Sequence, residues 1–322
     1  MIKKIKLFLN KFYWYKLVTN KIHKNTVLKN PEVEANRVYS LVFKKNIDLK
    51  NPKDLIEKIY WLQFNSDTSL WTNYADKYLV RNYLRECGFE KNTSKLYGKW
   101  DNVDDIDFTA LPTQFVLKSN NGCGTVMLVK NKNDLNIMKT KKKLKRWLSL
   151  PFGYQGAQLH YLKIKPCIIA EELLENNIED ITISPNSLID YKVYCINGEP
   201  EAIWVAYDRT YTGVYNTIYD KDWIKHPEYL VSTDYYTYHD REIPKPNCLL
   251  ELLDMSRKLS KPFHQVRVDF YIINNKPIFG EMTFTTGTGF FTQDFYDYLG
   301  SKIDLSKVEK VDNKLVKRSL FY

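Results

Sequence analysis

The chain has 322 residues, 44% of them hydrophobic and 27% charged, a balance that argues against disorder and allows a full core in two or three lobes. Its net charge is +10, yet eight lysines and no acid fall within the first 30 residues (Lys3, Lys4, Lys6, Lys11, Lys16, Lys21, Lys24, Lys29), leaving about +2 for the rest. The charge marks an arm and not a nucleic-acid-binding body, so no nucleic acid is expected as a partner. Five widely spaced cysteines with no CxxC pair suggest neither a disulfide framework nor a zinc site. No apolar run approaches the length of a membrane span, and lysines interrupt the N-terminal apolar stretch, so a cytoplasmic protein is expected.

In chain order, residues 1 to 24 read as a basic helix, with Phe8, Phe12, Trp14 and Tyr15 among the lysines. Such a helix suits an anionic membrane surface, as a peripheral attachment dispensable for chemistry; the alternative is a terminal helix packed on its own domain. A second helix is predicted from Asn51-Pro52, with Asp54 in its first turn, and a third over 74–87, ending at Gly88. Residues 92–110 read as an acidic loop. Strands are predicted over 114–118 and 125–130, joined by Ser119-Asn120-Asn121-Gly122-Cys123-Gly124, and a basic helix over 135–148. Beyond the apolar run 167–170, strands over 191–196 and 202–207 flank Asn197-Gly198, and strands over 266–273 and 277–282 flank Asn274-Asn275-Lys276. There is no βαβ alternation, so the fold class is α+β with antiparallel sheets.

Three segments carry candidate chemistry. Lys118 ends a strand beside a Gly-containing loop, where backbone N–H groups can approach phosphate and the ammonium adds a point charge. The pattern is neither Walker A nor GxGxxG, and taken alone it reads more readily as a structural hairpin. In the last hairpin, period two places Arg267 with Asp269 and Glu281 with Thr283, so that two carboxylates converge from facing strands. Mg²⁺ carried with nucleotide phosphates would relieve their repulsion; a salt-bridged sheet face is the plain alternative. Between these lie Glu171-Glu172-Leu173, where a strand-end backbone can pair with adenine, and Asp190-Tyr191-Lys192, whose acid and base share a face.

The order of these segments resembles an ATP-grasp ligase. The strings Asp76-Lys77-Tyr78-Leu79-Val80-Arg81, Asp104-Asp105-Ile106-Asp107-Phe108, Leu117-Lys118-Ser119-Asn120-Asn121-Gly122, Asp190-Tyr191-Lys192-Val193-Tyr194-Cys195 and Phe279-Gly280-Glu281-Met282-Thr283 resemble its TupA-like branch, over roughly residues 40–300. The resemblance implies an ATP- and Mg²⁺-dependent ligase that joins a carboxylate to an amine through an acyl phosphate, in capsular or cell-wall polysaccharide synthesis. It implies that Lys118, Lys192, Asp190, Asn120, Asn121, Gly122 and Gly124 bind ATP and that Glu171, Glu172 and Leu173 form the adenine hinge. Asp269, Glu281 and Thr283 are implied as metal ligands, Arg267 and Lys192 as catalytic cations, and Lys77, Arg81, Asp105 and Asp107 as substrate-facing. One departure is that Thr283 stands where such ligases usually carry Asn.

The expected division is a basic helix over 1–30, a substrate-side region over 31–112, a lid subdomain over 113–173 and a C-terminal lobe with the metal site over 174–322. Two other readings compete: a glycosyltransferase that uses the DxD triplet Asp105-Ile106-Asp107 for a metal and a sugar nucleotide, and a membrane-associated binding protein on an inactive scaffold.

Overall fold

The computed structural model describes residues 13–311. Residues 1–12 of the basic segment lie outside that range. The rest of the segment belongs to a helix, Tyr13–Lys29, that is built into the body: Val27 is fully buried and His23 lies 3.1 Å from Glu34. Asn30 then accepts from the Glu32 N–H, and Pro31 opens a further helix, Pro31–Phe43.

Asp54, and not Asn51, starts the next helix, Leu55–Asn65. Its carboxylate accepts from the N–H groups of Ile56 and Glu57, and the Glu57 side chain accepts from the Asp54 N–H. The single helix expected over 74–87 is broken in two, Ser69–Ala75 and Val80–Glu86. Between them the Asp76 carboxylate accepts from Tyr78 N–H at 2.8 Å and Leu79 N–H at 3.2 Å, a local bond that competes with helix continuation.

The smaller sheet holds β1 (Leu96–Trp100), β2 (Phe115–Ser119), β3 (Val126–Val129) and β4 (Ile168–Glu171) in the order β1-β4-β2-β3, all antiparallel. Strand β1 arises in the stretch read as loop; its residues are all half-buried, so it lacks an alternating pattern. One face of this sheet, with Phe115, Leu117, Val129 and Ala170, packs on Leu144 of the helix Ile137–Ser149 and on the loop residues Val103, Ile106 and Phe108. By alternation, Val116, Lys118, Val126, Leu128, Ile169 and Glu171 occupy the other face.

The larger sheet runs β10-β9-β5-β6-β7-β8, comprising β5 (Asp190–Ile196), β6 (Glu199–Tyr207), β7 (Val214–Tyr219), β8 (Tyr236–Tyr238), β9 (Gln265–Ile273) and β10 (Lys276–Thr283). Only the β7–β8 pair is parallel. Val193, Cys195, Val266, Val268 and Phe270 face the amphipathic helix Leu249–Ser260, which sequence reading did not identify. On the opposite face Tyr194, Trp204 and Ile218 pack with Ile56, Ile59 and Phe295. The α+β class with antiparallel-rich sheets is therefore the observed one.

Candidate active site

Arg267 and Asp269 alternate along β9 with the core residues Val266, Val268 and Phe270, so both emerge on the face away from Leu249–Ser260. Lys192 on β5 is the cross-strand partner of Asp269, and Glu281 on β10 is its partner on the other side. The second pairing depends on a bulge. Asn274 and Asn275, both at positive φ, set Ile273 opposite Lys276 and Phe270 opposite Phe279. Continued regularly, that register would place Glu281 opposite Val268, facing the core. It slips at Gly280 instead, bringing Glu281 opposite Asp269 and Thr283 opposite Arg267. A Cβ at Gly280 would stand 3.0 Å from the Asp269 carbonyl oxygen.

These residues interlock. Arg267 donates from Nε to Asp269 Oδ1 and from Nη2 to Oδ2, both at 2.7 Å, and Lys192 donates to Oδ2 at 2.7 Å. Asp190 lies 3.4 Å from both Lys192 Nζ and Arg209 Nη2. Glu281 lies 3.1 Å from Lys77 Nζ and 3.7 Å from Arg267 Nη2. The Thr283 hydroxyl accepts from Arg267 at 3.1 Å and donates to Glu281 at 3.4 Å. Burial opposes the charges on Glu281 and Lys192. It works to raise the Glu281 carboxyl, but Lys77, Arg267 and Lys192 hold it down at about 2. It works to lower Lys192, but Asp190 and Asp269 hold the ammonium above its ordinary value.

The free face of the smaller sheet carries a second ionic group. Glu171 accepts from Lys118 at 2.6 Å and from Arg81 at 2.7 Å, and Arg81 also donates to the Ser94 carbonyl at 2.8 Å. Burial favours the neutral acid, yet Lys118 and Arg81 keep the Glu171 carboxyl below its ordinary range. Val126 and Leu128, on the same face, are exposed apolar side chains on an edge strand, a surface suited to a flat aromatic base. Leu173, just past β4, is half-buried, and its backbone N–H and C=O make no hydrogen bond among the described residues. Glu172 is not free in the same way: its N–H donates to the Lys95 carbonyl, and its carboxylate accepts from the Lys95 N–H.

In the loop after β2, Gly122 and Gly124 adopt φ of +72° and +74°, and a Cβ on Gly122 would meet the Phe152 ring at 2.5 Å. Lys77 ties this loop to β10, since Nζ donates to the Gly122 carbonyl at 2.8 Å while pairing with Glu281. Asn121 is buried at the same turn. Asn120 was expected to contact ATP. Its amide donates to Asp76 at 2.8 Å and to the Lys165 carbonyl at 3.0 Å, and its oxygen accepts from the Cys167 N–H at 2.8 Å. The side chain is spent as a clasp between the loop, Asp76 and β4.

Lys77 and Arg81, expected to face substrate, pair with Glu281 and Glu171 in the two ionic groups just described. Asp105 and Asp107 were also expected to face substrate. Their loop packs beneath Ile137–Ser149, on the face of the smaller sheet away from Lys118, and Asp107 accepts from Thr109. Arg209 and Thr286 were not foreseen. Thr286 falls in the hydroxyl- and glycine-rich run after Glu281-Met282-Thr283, which was the available signal; Arg209 had none. Beside the charged row lies a cavity of about 520 Å³, bounded by Thr285–Thr288, the loop after β2, residues 147–158, the Leu55–Asn65 helix, and Thr19 and Asn20 of the first helix.

Two antiparallel-rich sheets, each with lysine and arginine side chains paired to carboxylates on one face, accord with the ATP-grasp class of ATP-dependent carboxylate–amine ligases. A family model described as TupA-like ATPgrasp matches residues 57–304, and the chain belongs to that family. No curated protein matches it. Among solved structures it is similar to a D-alanine–D-alanine ligase from Bacillus anthracis complexed with ATP, at 14% identity over 79% of this chain and 71% of that one, with a TM-score of 0.47. It is also similar to the ATP-grasp ligase PsnB complexed with its minimal precursor, at 11% identity over 80% and 62%, with a TM-score of 0.38.

The family uses ATP, and the residues suit a nucleotide-borne metal. Among the described residues no group of three or more His, Cys, Asp or Glu forms a metal cage. Asp269 and Glu281 offer two facing carboxylates, the number Mg²⁺ takes when phosphates and water complete its shell. No described helix is long and apolar enough to cross a membrane.

Proposed function

We propose that this ligase joins a carboxylate to an amine through an acyl phosphate, with one substrate part of a capsular or cell-wall polysaccharide. The observation that carries the reaction is the interlocked row of Lys77, Lys192, Arg267, Asp190, Asp269 and Glu281 on the larger sheet, with the Lys118–Glu171 pair on the smaller one. The polysaccharide assignment rests on the family resemblance of the motifs.

In this reading a carboxylate oxygen attacks the γ-phosphorus and ADP leaves. The amine nitrogen then attacks the acyl carbon, phosphate departs, and the nitrogen loses a proton. Lys118 and Lys192 hold phosphate oxygens, and Arg267 stabilises the charge that moves between the reacting groups. Asp269 and Glu281, with Thr283 directly or through water, would hold Mg²⁺, which supplies positive charge at the phosphates. Leu173 offers its backbone to adenine. The loop over 119–124, anchored by Asn120 and Lys77, shields the acyl phosphate from water.

The test is ATP-dependent phosphate release across pairs of carboxylates and amines, including uronic acids, amino acids and short peptides. The expected result is turnover that requires both partners and Mg²⁺. Phosphate release indifferent to every pair, or heat protection by UDP-sugars but not by ATP-Mg²⁺, would overturn the reading. The lysine-rich N-terminus is proposed to attach the enzyme peripherally to anionic membrane. Equal co-sedimentation with anionic vesicles of the full chain and a chain lacking residues 1–12 would remove that part.

A further inference from the structure

The cavity beside the charged row differs chemically from the rest of the molecule. Charged residues make up 27% of the sequence, yet none of the 22 described lining residues is Asp, Glu, Lys or Arg. The lining mixes aromatic surface from Tyr60, Trp147 and Phe152 with the neutral hydrogen-bonding side chains of Asn121, Gln155 and Gln158. Its volume falls in the range of small-molecule sites, about 300–1,000 Å³. Thr285, also in the lining, is 7% exposed, and its hydroxyl has no hydrogen-bond partner among the described residues. At one end Thr286 accepts from Arg267 Nη1 at 3.2 Å, which joins the neutral cavity to the charged row.

This combination restricts what fits. A free amino acid or short peptide carries charges at both ends and needs counter-charges once desolvated, which the lining supplies only near Thr286. A purely apolar molecule would leave the amides and hydroxyls of the wall without partners. A pyranose ring meets both conditions: uncharged hydroxyls around its rim and an apolar C–H face that lies against an aromatic ring. We propose that the cavity binds a neutral glycosyl unit of the substrate and directs the substrate's reacting group toward Thr286 and Arg267. The inference rests on the ligase reading above and assigns a sugar to the body of one substrate.

Saturation-transfer NMR on the full chain tests it. The probes are methyl glycosides of glucose, galactose and N-acetylglucosamine, a methyl glucuronide, glutamate and alanyl-alanine, all at one concentration. At least one glycoside is expected to receive saturation on its ring protons, while glutamate and alanyl-alanine do not. Trp147→Ala and Thr285→Val are each expected to cut that signal at least fivefold. Thr285→Val should leave Tm unchanged or raised, because it removes an unpaired buried hydroxyl. Silence from every glycoside, a stronger signal from glutamate or the dipeptide, or signals unchanged in both variants would overturn the proposal. Calorimetry with an ATP analogue and Mg²⁺ separates the two levels: glycoside silence with normal nucleotide binding sinks the sugar assignment alone, whereas absent nucleotide binding sinks the ligase reading.

Discussion

Asp269 and Glu281 face each other across two strands, yet their loss is expected to have unequal structural cost. Asp269 has a side-chain exposure of 4% and accepts three charge-assisted hydrogen bonds at 2.7 Å, two from Arg267 and one from Lys192. Asp269→Asn keeps the shape, removes the charge and turns an N–H group toward a cation. Breaking a buried ion pair costs about 3–5 kcal/mol. The lower end applies, because Asp190 remains 3.4 Å from Lys192 and Glu281 remains 3.7 Å from Arg267. Glu281 has 31% side-chain exposure and one short ion pair, with Lys77 at 3.1 Å, the Thr283 hydroxyl and Arg267 lying farther off, so Glu281→Gln should cost no more than about 1 kcal/mol. Urea unfolding without nucleotide, followed by tryptophan fluorescence, measures both. Phosphate release at saturating ATP, Mg²⁺ and substrates should fall at least about 100-fold in each variant. Equal stability losses would refute the burial argument. Near-normal turnover of either variant at saturating Mg²⁺ would refute the metal site.

Glu281 also sets a pH dependence. Its carboxyl is held at about 2 in the folded protein against an ordinary 4.5, so its ion pairs stabilise the fold above pH 4.5 and are lost as the pH falls toward 2; at 31% exposure solvent screens them, so the loss is about 1 kcal/mol and not the full value the shift alone would give. Wild type should therefore lose stability relative to Glu281→Gln over that window, and parallel curves would contradict it. Lys118→Ala should weaken calorimetric binding of a non-hydrolysable ATP analogue about tenfold or more and lower turnover as well; no change in either returns Lys118 to a surface ion pair with Glu171. Asn120→Ala leaves buried Asp76 and the Cys167 N–H short of a partner, for an expected loss of about 2–3 kcal/mol in unfolding free energy. A loss below about 0.5 kcal/mol would mean that the clasp is not structural.

The local chemistry was legible in the sequence wherever it depended on neighbours along the chain. The strand-to-Gly-loop change at Lys118, the two-residue Asn turns and the alternation of Arg267 and Asp269 all follow from backbone conformation and period two. The singling out of Lys77 and Arg81 rested on the family resemblance of their motif and not on local pattern. Where chain-local signals compete, reading failed. Asp76 broke a helix that apolar spacing had extended, because its carboxylate captured two N–H groups. Strand β1 showed no alternation, because all of its residues are half-buried.

Tertiary structure decided which partners these residues meet. Asn120 reads in sequence as a phosphate-loop residue; only the fold shows that its side chain also clasps the loop, since its three hydrogen bonds go to residues more than 40 positions away. Asp105 and Asp107 looked like a substrate loop and sit behind the smaller sheet, held there by the burial of Val103, Ile106 and Phe108. The convergence of Asp269 and Glu281 was inferred from a short turn, but the turn by itself gives the opposite parity. Only the slip at Gly280 turns Glu281 out of the core and onto the face of Asp269. A one-residue shift in register reverses every side chain beyond it, and where that shift falls is set by packing between strands.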